Sequence, residues 1–205
     1  MREESDYHIA KNRLETLIDG IFAIAMTLLV LGITSPKPPA SQAMELLPKE
    51  IFHLIPQFFI FVIAFVVLAI FWLSHHRQFH FVRIVDPRLL WINIFLLIFI
   101  VLVPFSTDVA GDYPEVPVAV LFFHVNVLMV GLLFAVHWKH ICRSEHLCDP
   151  HPDEKVIRAR FIDTALIPIV AAAAIIISVF SCPASLLIYL VIPVVIVLLN
   201  PRSLF

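Results

Sequence analysis

Six stretches of this chain stay apolar for about as long as a helix needs to cross a bilayer, and nothing else in the sequence limits the fold as strongly. They fall at roughly 14–34, 51–74, 88–107, 115–138, 160–180 and 183–200. A hydrocarbon core about 30 Å thick takes about 20 helical residues at about 1.5 Å each. The expected fold class is therefore an all-α integral membrane protein, with six transmembrane helices in one domain over 1–205. Composition agrees, because 60% of the residues are hydrophobic and only 15% charged, against about a half and a quarter in soluble domains. The first run follows a dozen polar residues and lacks a small-x-small cleavage site. It reads as a retained span rather than a signal peptide.

The connections carry the topological information. Of the 14 Lys and Arg residues, only Lys37 and Lys49 fall in the first and other odd-numbered connections. The rest sit at the N-terminus (Arg2, Lys11, Arg13), in the second connection (Arg77, Arg83, Arg88), in the fourth (Lys139, Arg143, Lys155, Arg158, Arg160) and at Arg202. Basic loops stay in the cytoplasm, so both termini are expected there, in a multi-pass cell-membrane protein. Asp108, Asp112 and Glu115 make the opposite mouth acidic. A formal net charge of −2 offers no bulk attraction for nucleic acid. The three cysteines, Cys142, Cys148 and Cys182, do not read as a disulfide framework.

The first span, RLETLIDGIFAIAMTLLVLGI over 13–33, holds an ionisable residue in an otherwise oily run. At about 100° per residue, Gly20, Ile24, Thr27, Leu28 and Leu31 share one stripe. Gly20 allows close approach of another backbone. Thr27 can bond back to its own helix or face water. Asp19 lies in the first turn, where the positive end of the helix dipole favours an anion, with Arg13 just upstream. It is either an interfacial cap reaching water or a functional intramembrane carboxylate.

This segment resembles the first-helix signature Arg-x-x-x-Phe-Ser-Asp-Gly, then x-Phe-Ala-Ile-x-x-Thr-Leu-Leu-Val-Leu, of the endosomal and lysosomal potassium channel family, transmembrane protein 175. Arg13, Asp19, Gly20, Phe22, Ala23, Ile24 and Thr27–Leu31 match, while Leu17 and Ile18 replace Phe and Ser. WLSHHRQF resembles the family's Trp-x-x-His segment at Trp72 and His75, and Asn93 and Pro104–Phe105 resemble third-helix positions. The likeness covers roughly the first 105 residues. It implies a homotetramer with a central pore lined by the first helix. In it, Ile24, Leu28 and Leu31 would form hydrophobic rings, Ile24 the narrowest, and Thr27 a ring of hydroxyls. It also implies a structural network of Arg13, Asp19, Gly20, Trp72, His75 and Asn93 behind the pore. The activity implied is a potassium-preferring cation channel, not an enzyme, with no cofactor beyond the permeating potassium ions. The partners implied are the other subunits, the lipid bilayer and monovalent cations. The sequence holds no TVGYG-like filter segment. A narrow apolar ring can gate by dewetting.

Three other constellations compete. The alternative function is a proton-coupled secondary transporter that uses Asp19 and the histidines as a relay, although neither an inverted repeat nor a broken helix pair is evident. The loop over 137–151, with His137, His140, Cys142, His146, Cys148 and His151, could bind a metal, sense pH or be simply solvated. A membrane haem site would need facing His pairs, and the apolar surroundings of His53, His124 and His137 read as packing. Pro56, Pro168 and Pro193 are expected to kink helices.

Overall fold

The computed structural model describes residues 11–148 and 152–199, all helices and connections. Arg2, His151 and Arg202 lie outside the described residues. In chain order the helices are α1 (Lys11–Leu28), α2 (Ala43–His53), α3 (Ile55–Phe79), α4 (Pro87–Asp112), α5 (Pro117–Arg143), α6 (Glu154–Ser178), α7 (Cys182–Leu187) and α8 (Val191–Leu199). Five of them, α1 with its 3-10 extension through Gly32 and α3 to α6, are long and apolar enough to cross a membrane.

Local chemistry sets the helix starts. Asp86 caps α4 by accepting from the Leu89 amide at 2.6 Å, with Pro87 next. At the first helical position proline's missing N–H has no partner to lose. Pro56 sits likewise in the first turn of α3. It therefore marks the break after α2 instead of kinking a span, contrary to the sequence expectation. Pro104 and Pro168 are interior to α4 and α6.

Two expected boundaries change. The second run does not begin a span at 51, because 51–53 belong to α2, a short helix in the Pro-rich first connection. The sixth run is not one helix over 183–200. α7 gives way to a 3-10 turn at Ile188–Leu190 before α8, leaving an apolar helix of only Cys182–Val195. Pro193 explains the break, since it has no N–H for the Tyr189 carbonyl and its ring crowds that carbonyl. Elsewhere helices run past the apolar limits, α5 to Arg143 and α6 from Glu154. Hydropathy marks where lipid ends, not where a helix ends.

Consecutive long helices run antiparallel. α5 packs most extensively on α4 and α6, and α1 lies against α3 and α4. One apolar cluster runs through them, including a stacked Phe71–Phe134 pair with centroids 5.1 Å apart. In lipid, burying such side chains gains no transfer free energy, so close packing and buried hydrogen bonds decide how helices associate. Gly131 shows the first factor. A Cβ there would stand 2.8 Å from Pro168 Cδ, so α5 and α6 meet nearly backbone to backbone. Gly32 plays the same part beneath Asp108 Oδ1.

Candidate functional site

α1 has two unlike faces. Leu14, Ile18, Phe22, Ala25 and Leu29 are buried against the rest of the chain. The opposite face leaves Leu17, Ile24, Thr27, Leu28 and Leu31 exposed, with Ile24 at 55% and Leu31 at 73%. A Cβ on Gly20 would meet nothing within 4 Å. Among the described residues none approaches Gly20 closely.

The end of α1 aligns this stripe. Leu29–Gly32 tighten into a 3-10 turn, in which residues three apart eclipse. Leu31 is thereby brought over Leu28 rather than drifting around the helix. The Thr27 hydroxyl donates to the Ile24 carbonyl at 2.8 Å. Its proton is thus engaged by its own helix, while the side chain stays on the exposed face.

Behind the stripe, polar bonds tie α1 to α3 and α3 to α4. The Trp72 indole donates to Asp19 Oδ1 at 2.9 Å. His75 Nε2 meets Asn93 Oδ1 at 2.9 Å, and Asn93 Nδ2 donates to the Leu89 carbonyl at 2.8 Å. An amide oxygen only accepts, so His75 carries its proton on Nε2. The residues expected to form one network thus fall into two bonded groups. A cavity of about 260 Å³, lined in part by Asp19, His75 and His76, joins them. Arg13 is exposed, and no bond to Asp19 is found among the described residues.

Two polar clusters escaped the sequence reading. His137 Nδ1 lies 2.6 Å from Gln78 Oε1, Gln78 Nε2 donates to Thr164 Oγ1 at 3.1 Å, and Thr164 donates to the Arg160 carbonyl. The His137 and His75 rings are 5.3 Å apart, so a histidine pair does exist inside the bundle. The second cluster holds the broken sixth run. His124 contacts Tyr189 Oη at 3.0 Å and Ser185 Oγ at 2.8 Å, while Ser185 donates to the Cys182 carbonyl at 2.6 Å. Ser185 must then accept from His124 Nε2–H, and His124 Nδ1 accepts from Tyr189. The sequence signal was available, since buried polar side chains in lipid rarely go without partners. Their partners lie between 59 and 86 residues away and could not be named.

Two histidines of the histidine-rich loop meet the start of α4. Among the described residues no group of three or more His, Cys, Asp or Glu side chains is placed to hold a metal ion. Instead His140 and His146 both turn to Asp86, at 3.1 and 3.7 Å from Oδ2. Burial opposes ionisation of Asp86, but the Leu89 amide and His140 outweigh it and hold the carboxyl below its usual range. The two connections at this end also pair, through Arg83 N–H to the Leu147 carbonyl at 2.7 Å.

The chain resembles known proteins over most of this architecture. The family model for the endosomal/lysosomal potassium channel TMEM175 matches residues 13–104. A potassium channel of Streptomyces collinus is 33% identical over 162 residues, 75% of either chain. One of Chamaesiphon minutus is 31% identical over 150 residues, 72% of this chain and 73% of that one. The crystal structure of a lysosomal potassium-selective channel TMEM175 homolog from Chamaesiphon minutus superposes with a TM-score of 0.79 at 27% identity, covering 94% of this chain and 97% of that one. Sequence, fold and the first-helix motif agree: the chain belongs to the TMEM175 family.

Proposed function

We propose that this protein is a potassium-preferring cation channel of the cell membrane. It works as a homotetramer in which four copies of α1 surround one pore. The observation that carries this reading is the two-faced α1. Its exposed apolar stripe of Ile24, Leu28 and Leu31 is aligned by the 3-10 turn, while Trp72 holds the helix from behind. A single such stripe encloses nothing, and four facing one another make successive apolar rings. Ile24 is the narrowest ring, closing by dewetting, and Thr27 supplies hydroxyl oxygens between rings. Potassium sheds water more readily than sodium, so the constriction prefers it. The relatives named as potassium channels support the permeant ion. The six apolar runs form one domain over 1–205, the sixth crossing as the broken α7–α8 segment. The basic end, with both termini, faces the cytoplasm, and the Asp108, Asp112 and Glu115 end faces out.

Native mass measurement in mild detergent should give a tetramer, and reconstituted protein should show bi-ionic reversal potentials favouring potassium. A conducting monomer or dimer excludes the four-helix pore. One observation favours a second reading. Asp19 and His75 line one cavity and His75 contacts His137, as a proton-coupled transporter requires. Potassium flux that needs a proton counter-gradient would support it over the channel.

A further inference from the structure

We propose that the groove between α4 and α5 at the basic end is a binding site for an anionic phospholipid of the inner leaflet. The site is distinct from the pore stripe and the struts behind it. It rests on the reading above only in taking the basic end as the cytoplasmic side.

The groove has a volume of about 820 Å³. Its rim carries Arg88 from α4 and Lys139 and Arg143 from α5, all exposed. Its wall carries Trp91, Phe95 and Val136, all large, apolar and exposed. The order along each helix matters. On α4, Trp91 and Phe95 follow Arg88 at three and seven residues, so they share its face and descend about 10 Å toward the middle of the bundle. On α5, Lys139 and Val136 precede Arg143 by four and seven residues and descend in parallel. Both walls therefore grade from cation to hydrocarbon over the same depth. A phospholipid has that polarity, with phosphate at the surface and acyl chain below.

Charge complementarity selects an anionic headgroup. None of Arg88, Lys139 and Arg143 forms an ion pair among the described residues. Asp86, two residues before Arg88, is engaged by the Leu89 amide, His140 and His146. Glu15 and Asp163, also at this end, already face Lys11 and Arg160. Three cations at interface depth beside an exposed tryptophan match the way basic pockets between membrane helices hold acidic lipids. A zwitterionic headgroup would bring its own cation against them.

The test uses the full-length protein in mild detergent, titrated with phosphatidylglycerol or phosphatidylcholine and read by native mass spectrometry. Phosphatidylglycerol should be retained in preference to phosphatidylcholine. Arg88→Gln with Lys139→Gln should weaken that retention about tenfold or more. Lys155→Gln with Arg158→Gln removes equal charge from the exposed start of α6 and should leave it intact. Trp91→Ala should weaken retention of both lipids, and glycerol 3-phosphate should not displace the bound lipid. Equal retention of the two lipids overturns the proposal, as does equal loss in the two double variants. Displacement by glycerol 3-phosphate overturns it in favour of a soluble phosphate site. A fall in subunit number in the Arg88/Lys139 variant, with no lipid retained by the parent, overturns it in favour of a neighbouring subunit. If that variant does not fold, the preference of the parent protein for one lipid still decides. No readout depends on conductance, so failure of the channel reading and failure of this one are separable.

Discussion

The Trp72 indole donates its only proton to Asp19 across the α1–α3 contact, at 2.9 Å. An oily helix has few specific means of fixing its rotation, because lipid accepts any apolar face equally. One directional bond to a carboxylate supplies that orientation.

Trp72→Phe keeps the ring and removes the bond. A hydrogen bond to a charged group is worth about 1.5–3 kcal/mol when sheltered. Asp19 is exposed in the subunit, so the expected cost is nearer 1 kcal/mol. The thermal midpoint of the assembled protein should fall slightly while the potassium–sodium reversal potential holds. Asp19→Asn keeps an acceptor and should behave similarly. A shifted reversal potential in Asp19→Asn would instead place the carboxylate on the ion path.

Ile24→Asn puts an amide into the proposed narrowest ring. Leak should rise and potassium preference should fall. Thr27→Val keeps the shape and deletes the hydroxyl, so preference should fall with little leak. Ile63 is buried in α3, on no exposed stripe, and Ile63→Val should cost about 0.5–1.5 kcal/mol of stability without moving the reversal potential. The opposite pattern, with only the Ile63 variant altering permeation, removes α1 from the pore.

Gly131 and Gly20 make a matched pair. At Gly131 an added methyl meets Pro168 at 2.8 Å, whereas at Gly20 it meets open space. Gly131→Ala should therefore destabilise each subunit by about 1–3 kcal/mol through overpacking. Gly20→Ala should leave the isolated subunit unharmed. If Gly20→Ala reduces tetramer abundance in native mass spectra, a neighbouring subunit closes on that position. If both variants assemble and melt like the parent protein, the close α5–α6 approach is wrong.

Asp86 gives a pH dependence. Its carboxyl is held below the usual range in the folded protein, so the stability it contributes is present above the unfolded value of about 4. That stability is lost as pH falls through the lower folded value. Loss of the cap altogether, in Asp86→Ala, should cost about 1 kcal/mol at neutral pH. Melting curves should show the difference between Asp86→Ala and the parent shrinking below pH 4. A constant difference would mean that the cap, and not the charge, carries the effect.

Length and hydropathy located the long helices because both follow from one local quantity, the run of residues able to lie in lipid. The same arithmetic misjudged 183–200, where Pro193 interrupts an apolar run without making it less apolar. It also missed α2, whose 11 residues are helical without being long enough to span. Turn chemistry read locally would have placed Pro56 at a helix start, since a proline two residues after a break belongs there.

The sequence by itself determined the membrane class, the uneven distribution of charge between connections, and the stripe that α1 offers to its surroundings. Each depends only on residue spacing along one helix. Tertiary structure alone decided which polar groups meet. His124 finds Ser185 and Tyr189, Gln78 joins His137 to Thr164, and His140 turns to Asp86. Those partners lie far apart in the chain and are paired by helix rotation and depth. In lipid, that choice is made by close packing at positions such as Gly131 and Pro168 and by the need of each buried donor for an acceptor.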